Sequence, residues 1–277
     1  MFYFSPKNIC TLFCFLFFLL ASSTNLVFAQ GKEDIPLSLY EGSKKDMQKK
    51  LSGKARNFVG FSVGANLPQG EFVSVFDEER AGYAQTGLTA SLAGSYLVYK
   101  NIGVQATLGM HRNNIVADEY EGYLLERLPD NALGALTTSA WKNIYFAVGP
   151  NISLPEDKVT FDLHLLFGLS FVQSPELNFA GTYNEDIIIT DIRESASAVS
   201  FLSSLGGSVS FPLPMLDKDF KAFVKGEFVS TAPKLTINHV ADGELYKVSS
   251  QEVFQQPVSV FSISAGLRYE FGYAKRR

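Results

Sequence analysis

The segment Val258–Phe271 alternates between two kinds of side chain along its whole length. Phe261, Ile263, Ala265, Leu267, Tyr269 and Phe271 fall on one face, while Ser262, Ser264, Gly266, Arg268 and Glu270 fall on the other. Successive side chains of a strand point to opposite sides, so the segment reads as a β-strand with one apolar and one polar surface. A sheet in water turns its apolar surface inward. A barrel in a bilayer turns it outward and keeps the polar surface in the lumen. The alternation alone fits both, and the rest of the chain decides between them.

Seven further segments repeat the pattern, at residues 57–67, 85–98, 104–111, 141–154, 159–171, 199–211 and 220–228. In 159–171 the apolar face is Val159, Phe161, Leu163, Leu165, Phe167, Leu169 and Phe171. Proline removes a ladder donor, so Pro150 predicts a bulge or bend in its strand. The connections are long at 68–84, 113–139, 174–195 and 231–257, and short at 99–102, 155–158 and 212–217. Long and short links therefore alternate, which puts every long loop at one end of the sheet.

The first 29 residues read as a secretory signal: Lys7 precedes an apolar run from Cys10 to Ala21, and Val27-Phe28-Ala29 offers a cleavage site. Both cysteines, Cys10 and Cys14, lie inside that run, so the mature chain is expected to lack thiols, disulfides and cysteine metal sites. Loss of Lys7 takes the net charge from -4 to -5, a balance that argues against nucleic acid as a partner. Residues 30–56 form a polar lead-in with a basic second half (Lys44, Lys45, Lys49, Lys50, Lys54 and Arg56), and 57–277 form the β domain.

Alternating loop lengths, an even strand number and strands of about 9 to 11 residues or more are the marks of an outer-membrane barrel with periplasmic termini. The polar face agrees, being mostly Gly, Ser, Thr and Asn where a water-facing surface would carry many Lys and Glu. Small polar residues suit the lumen of an eight-stranded barrel, which has room for side chains only. Tyr96, Tyr99, Trp141, Phe171, Phe211, Phe220, Phe228, Tyr269, Phe271 and Tyr273 lie near strand ends, as interfacial girdles require. The expected fold is all-β, an eight-stranded antiparallel up-and-down transmembrane barrel.

On these features 57–271 resembles the small eight-stranded outer-membrane barrels of the OmpA and OmpX kind. The segment Ser264-Ala-Gly266-Leu-Arg-Tyr269-Glu-Phe271 is similar to their terminal-strand signal. The resemblance implies that Ser264, Gly266, Tyr269 and Phe271 are read by the barrel-assembly machinery during insertion. It also implies a Gram-negative outer membrane, with lipid and lipopolysaccharide as surroundings.

Asp162, His164, Lys221, Lys225, Glu227, Arg268 and Glu270 are expected inside the lumen, where charges must pair. Lys225 and Glu227 are the expected partners of Arg268 and Glu270, from the neighbouring strand. Asp162 and His164 share a face, as a general base and its orienter do, but no serine nucleophile motif accompanies them. No enzymatic activity, metal or cofactor is expected.

The long loops sum to a charge of -12, with Asp77, Glu78, Glu79, Asp118, Glu119, Glu121, Glu185 and Asp186 among the acids. They are the expected working surface, suited to divalent cations or to cation-bridged lipopolysaccharide phosphates. Phe72 to Phe76 and Ile187 to Ile189 are apolar exceptions, read as partner contacts or strand extensions above the membrane. The functional reading is a structural or surface-binding membrane protein with a filled lumen. Two alternatives are an accessory subunit of a larger outer-membrane assembly or secretion machine and a small gated channel.

Overall fold

The computed structural model describes residues 55–75, 81–126, 133–156, 159–183, 186–213, 215–217, 219–243 and 246–272. The expected signal and almost all of the expected lead-in lie outside the described residues, as do Asp77, Glu78, Glu79, Glu185 and Tyr273.

Eight long strands close on themselves: β1 (Asn57–Gln69), β2 (Gly87–Tyr99), β3 (Ile102–Asn113), β5 (Trp141–Glu156), β6 (Val159–Gln173), β9 (Ser197–Pro212), β10 (Phe220–Thr231) and β13 (Val258–Phe271). All neighbours are antiparallel, and the last strand returns to the first along a ladder from Asn57↔Phe271 to Gln69↔Ser259. Closure leaves no unpaired edge, which hydrocarbon would penalise heavily. The register does not shift on either side of Pro150, so no bulge forms, but the ladder to β6 skips Gly149 and Pro150, the local loss of pairing that a proline brings.

The side chains sort as a barrel in lipid requires. Phe61, Phe146, Leu169 and Phe201 point out and are more than half exposed, whereas Ser62, Tyr145, Ser170 and Leu202 point in and are buried. A water-soluble chain does not leave such a belt of large apolar residues uncovered. Most of the end-of-strand aromatics do face out, among them Tyr96, Tyr99, Phe211 and Phe271. Trp141 does not: it opens β5 facing inward, is buried, and donates its indole N–H to the Gly82 carbonyl at 2.9 Å.

The long loops contain regular structure that the sequence pattern left as loop. Strands β4 (Leu133–Thr138), β7 (Leu177–Tyr183), β8 (Asp186–Arg193), β11 (Lys234–Gly243) and β12 (Tyr246–Gln255) form a second sheet in the order β12-β11-β8-β7-β4. Two of its hairpins, β7–β8 and β11–β12, continue the barrel hairpins beyond the membrane-facing belt. Ile187, Ile188 and Ile189 lie in β8, in keeping with a strand extension. The long loops also hold a 3-10 turn (Gly70–Phe72) packed beside β13 and helix α1 (Ala117–Leu125) packed beside β4. Asp118 and Glu119 on that helix are exposed and Glu121 half-buried.

Candidate functional site

The lumen is layered. Nearest the short turns lies a charged layer, built because β6, β10 and β13 each aim ionic side chains inward at similar heights. Arg268 on β13 donates to Asp162 on β6, three strands round the wall, so the contact crosses the lumen. Its other terminal nitrogen meets Glu270 at 2.5 Å, and Glu270 is also 3.0 Å from Lys221. The Arg268 guanidinium lies 4.8 Å from the centre of the Phe58 ring, and Ser208 donates to Asp162 at 3.3 Å. Arg268 and Asp162 are nearly inaccessible, so each answers a charge that water cannot screen.

A second layer centres on Glu227. Its carboxylate accepts from Lys225 at 2.8 Å, from Ser204 at 2.6 Å and from Tyr145 at 3.4 Å, with His164 Nε2 3.5 Å away. Lys225 also reaches Ser91 on β2 at 2.8 Å, again crossing the lumen, and Ser91 lies 2.9 Å from Ser62. Two cross-braces thus tie opposite walls at different heights.

The expected pairing of Lys225 and Glu227 with Arg268 and Glu270 is not what forms. The β10–β13 register sets Lys221, not Lys225, beside Arg268, and places Ser264 and Ser262 opposite Lys225 and Glu227. Asp162 and His164, neighbours on one strand face, serve different layers and make no pair with each other. His164 has the Glu227 carboxylate beside it, on the same oxygen that accepts from Ser204.

Above the charged layers the lumen is mixed, with an apolar cluster beside buried polar groups such as Ser170, Asn143 and Asn66. Leu166, Val172, Leu202, Val229, Val258 and Val260 point inward and are fully buried, with Tyr145 at the boundary. Gly109 makes room for that ring, since a Cβ there would stand 2.3 Å from it. Between this plug and the loops, His111 and Asn143 border a cavity of about 10 Å³ together with Phe72 and Trp141. Phe72, from the first long loop, is buried edge-on against Trp141 with ring centres 5.5 Å apart. It is a stopper, not a surface contact.

Beneath the second sheet is a larger cavity, about 60 Å³, bordered by Tyr83, Tyr120, Trp141, Ile237, Arg193 and Glu252 among others. Tyr83 and Tyr120 meet edge to face at 5.1 Å, and an isolated bridge from Ala84 to Ile115 holds their loops together. Sequence reasoning missed Arg193 and Glu252. Their signal is weak: Glu252 is the one charge among Tyr246, Val248, Ser250 and Phe254 at alternate positions, and Arg193 alternates with Ile187, Ile189 and Asp191.

Of the assembly-signal positions, Ser264 points into the lumen 3.4 Å from Ser62, and a Cβ on Gly266 would stand 2.0 Å from the Phe61 carbonyl oxygen. Tyr269 and Phe271 face out, Tyr269 lying against Phe220 at 5.1 Å. Asp186 lies in β8. Among the described residues no cluster of His, Asp and Glu has the form of a metal site.

A closed antiparallel eight-stranded barrel with a lipid-facing apolar belt and a filled lumen is a small transmembrane β-barrel of the outer-membrane type. No protein-family model and no curated protein sequence matches the chain. Solved structures to which it is similar include Ail, the attachment invasion locus protein of Yersinia pestis, at 14% identity over 78% of this chain and 100% of that one, with a TM-score of 0.36. A major outer membrane protein from Thermus thermophilus aligns at 13% identity over 78% of this chain and 99% of that one, TM-score 0.43. The outer membrane protease OmpT of Escherichia coli aligns at 10% identity over 79% and 98%, TM-score 0.41.

Proposed function

We propose that the protein is a non-enzymatic binding protein of a Gram-negative outer membrane, exported by a cleaved signal, with periplasmic termini and its working surface on the external sheet and loops. The observation that carries this reading is the division of the molecule. Tyr145, Leu166, Leu202 and Val229 are buried inside the adjacent strands β5, β6, β9 and β10 and two ionic braces cross the lumen, while the roomier cavity lies among the loops. Such filling argues against an ion path through the lumen. The acidic loops favour divalent cations and the lipopolysaccharide headgroups that such cations bridge.

The test combines two measurements on the purified protein and one on native membranes. A gel shift between boiled and unboiled samples and silence in planar bilayers are expected; solubility without detergent, or discrete conductance, would overturn the reading. Affinity capture from native membranes then separates a free-standing binder from the second reading, an accessory subunit of a larger outer-membrane assembly. That second reading is favoured by the edges of the external sheet, β4 and β12, which have no outer partner strand among the described residues. Stoichiometric recovery of a large barrel protein would select it.

A further inference from the structure

The geometry points to a lipid-phosphate site on the outer wall of the barrel, built by Arg112 and Lys142, which holds the phosphomonoester headgroup of a lipid in the leaflet nearest the long loops. This rests on the reading of the protein as an outer-membrane barrel, and it names one chemistry that the wall recognises.

The sheet register brings the two cations together. Arg112 on β3 and Lys142 on β5 are partners in the ladder, so they stand directly opposite each other on neighbouring strands. Both are exposed, and both lie on the lipid-facing side, in phase with the outward pair Met110 and Ile144. Side chains directly opposite in an antiparallel pair have Cβ atoms about 5 Å apart, and like charges there are destabilising. No acid in the row relieves them. Their neighbours round the wall at this height are Leu88 on β2 and Gln173 on β6, followed by Ala65 and Ser197. Neither cation has an ion-pair or hydrogen-bond partner among the described residues.

Their height on the wall identifies the source of the missing anion. Below Arg112 the outward residues of β3 are Met110 and Leu108, and below Lys142 those of β5 are Ile144 and Phe146, all about half exposed. The pair therefore sits where the apolar belt ends and headgroups begin. The long loops beyond it sum to a charge of -12, which repels an anion arriving from solution. An anion carried in the bilayer reaches the pair from the side, with its acyl chains along Leu88, Met110 and Ile144. A phosphomonoester carries a charge of about -1.5 to -2 at neutral pH, enough to answer both cations. The arginine fork takes two of its oxygens and the lysine adds a point charge. A zwitterionic phosphodiester headgroup leaves the pair uncompensated.

The experiment titrates the full chain, folded in detergent, with lipid A, whose phosphates are monoesters, and counts bound lipid by native mass spectrometry. Lipid A stripped of its phosphates is expected to bind at least about tenfold more weakly, as is phosphatidylcholine, and excess inorganic phosphate is expected not to displace lipid A. Arg112→Gln combined with Lys142→Gln should weaken lipid A by at least about tenfold. Lys100→Gln, which removes an exposed cation at the short-turn end, should leave binding unchanged. Stability gives a second readout with a change of sign. In detergent alone, Lys142→Gln relieves the repulsion and should raise the temperature at which the unboiled gel band converts to the boiled one; with lipid A present it should lower it.

Equal binding of the phosphate-free lipid would overturn the proposal, as would a double variant that binds lipid A normally. Displacement by inorganic phosphate would overturn the lipid as the source of the anion. Destabilisation by Lys142→Gln in both conditions would overturn the unrelieved repulsion. Indifference to phosphate in protein that keeps its gel shift would remove this site and leave the outer-membrane reading standing, whereas loss of the gel shift in the unaltered chain would count against that reading itself.

Discussion

Arg268 reaches across the lumen to Asp162, joining strands that lie three apart on the barrel wall, and the same guanidinium holds Glu270 on its own strand. Breaking one side of a buried pair costs up to about 3–5 kcal/mol, and with Asp162 neutral the buried Arg268 keeps Glu270 alone as its counter-charge, one that Lys221 already shares. Asp162→Asn is therefore expected to lower the temperature at which the unboiled gel band converts to the boiled one. Asp162→Leu combined with Arg268→Met should recover part of that loss, because both charges of the cross-brace are then removed; Glu270 keeps Lys221 at 3.0 Å.

Glu227 accepts bonds from Lys225 and Ser204 and has His164 beside it. Glu227→Gln keeps the shape and removes the charge, stranding the Lys225 ammonium in a buried layer. Its destabilisation is expected to exceed that of Lys221→Gln, since Lys221 sits nearer the barrel end and is more accessible than Lys225. Denaturant unfolding in detergent, followed by the gel shift, compares the two.

Gly109 and Tyr145 share one space. A methyl at 109 would stand 2.3 Å from the tyrosine ring, so Gly109→Ala must displace Tyr145 from beside Glu227. The expected cost is about 1–3 kcal/mol, the usual range for overpacking. Gly109→Ala made in a Tyr145→Ala background should cost much less, and a double-mutant cycle measures the difference.

Phe72 is the stopper over Trp141. Phe72→Ala removes a fully buried ring, at about 3–5 kcal/mol where the site does not collapse. The loop then loosens above an intact barrel, so Trp141 emission is expected to shift to the red while the gel shift persists. An unchanged emission spectrum would contradict the contact.

The barrel was legible because its physics repeats. A half-buried strand imposes period two, and the alternation of loop lengths says on which end the long loops gather, so the eight barrel strands were expected within a few residues of where they lie. The external sheet was not legible, because its strands depend on non-local neighbours: β11 takes its place from pairing with β8, far away in sequence. Leu166 and Val172 stand on the polar face of a strand and read as noise there, yet with Leu202 and Val229 they form the apolar plug. That the charged groups shared the lumen could be read from their phase; which ones pair could not. Pairing is set by the stagger between β10 and β13 and by reach across the lumen, and neither quantity is written in a single strand. Trp141 likewise followed a rule about strand ends until the Gly82 carbonyl drew it inward.

The seam between β1 and β13 bears on the order of assembly. It joins Asn57 to Phe271, nearly the full span of the described chain, whereas the other barrel ladders and the external sheet join segments much closer in sequence. Loop-closure entropy grows with the length enclosed, so this ladder is the costliest to bring together. The external sheet uses no residue of β1, and its pairings can be complete while the cylinder is still an open, curved sheet. On this argument the β1–β13 ladder is expected to close last, the final strand acting as the clasp that turns a sheet into a closed wall.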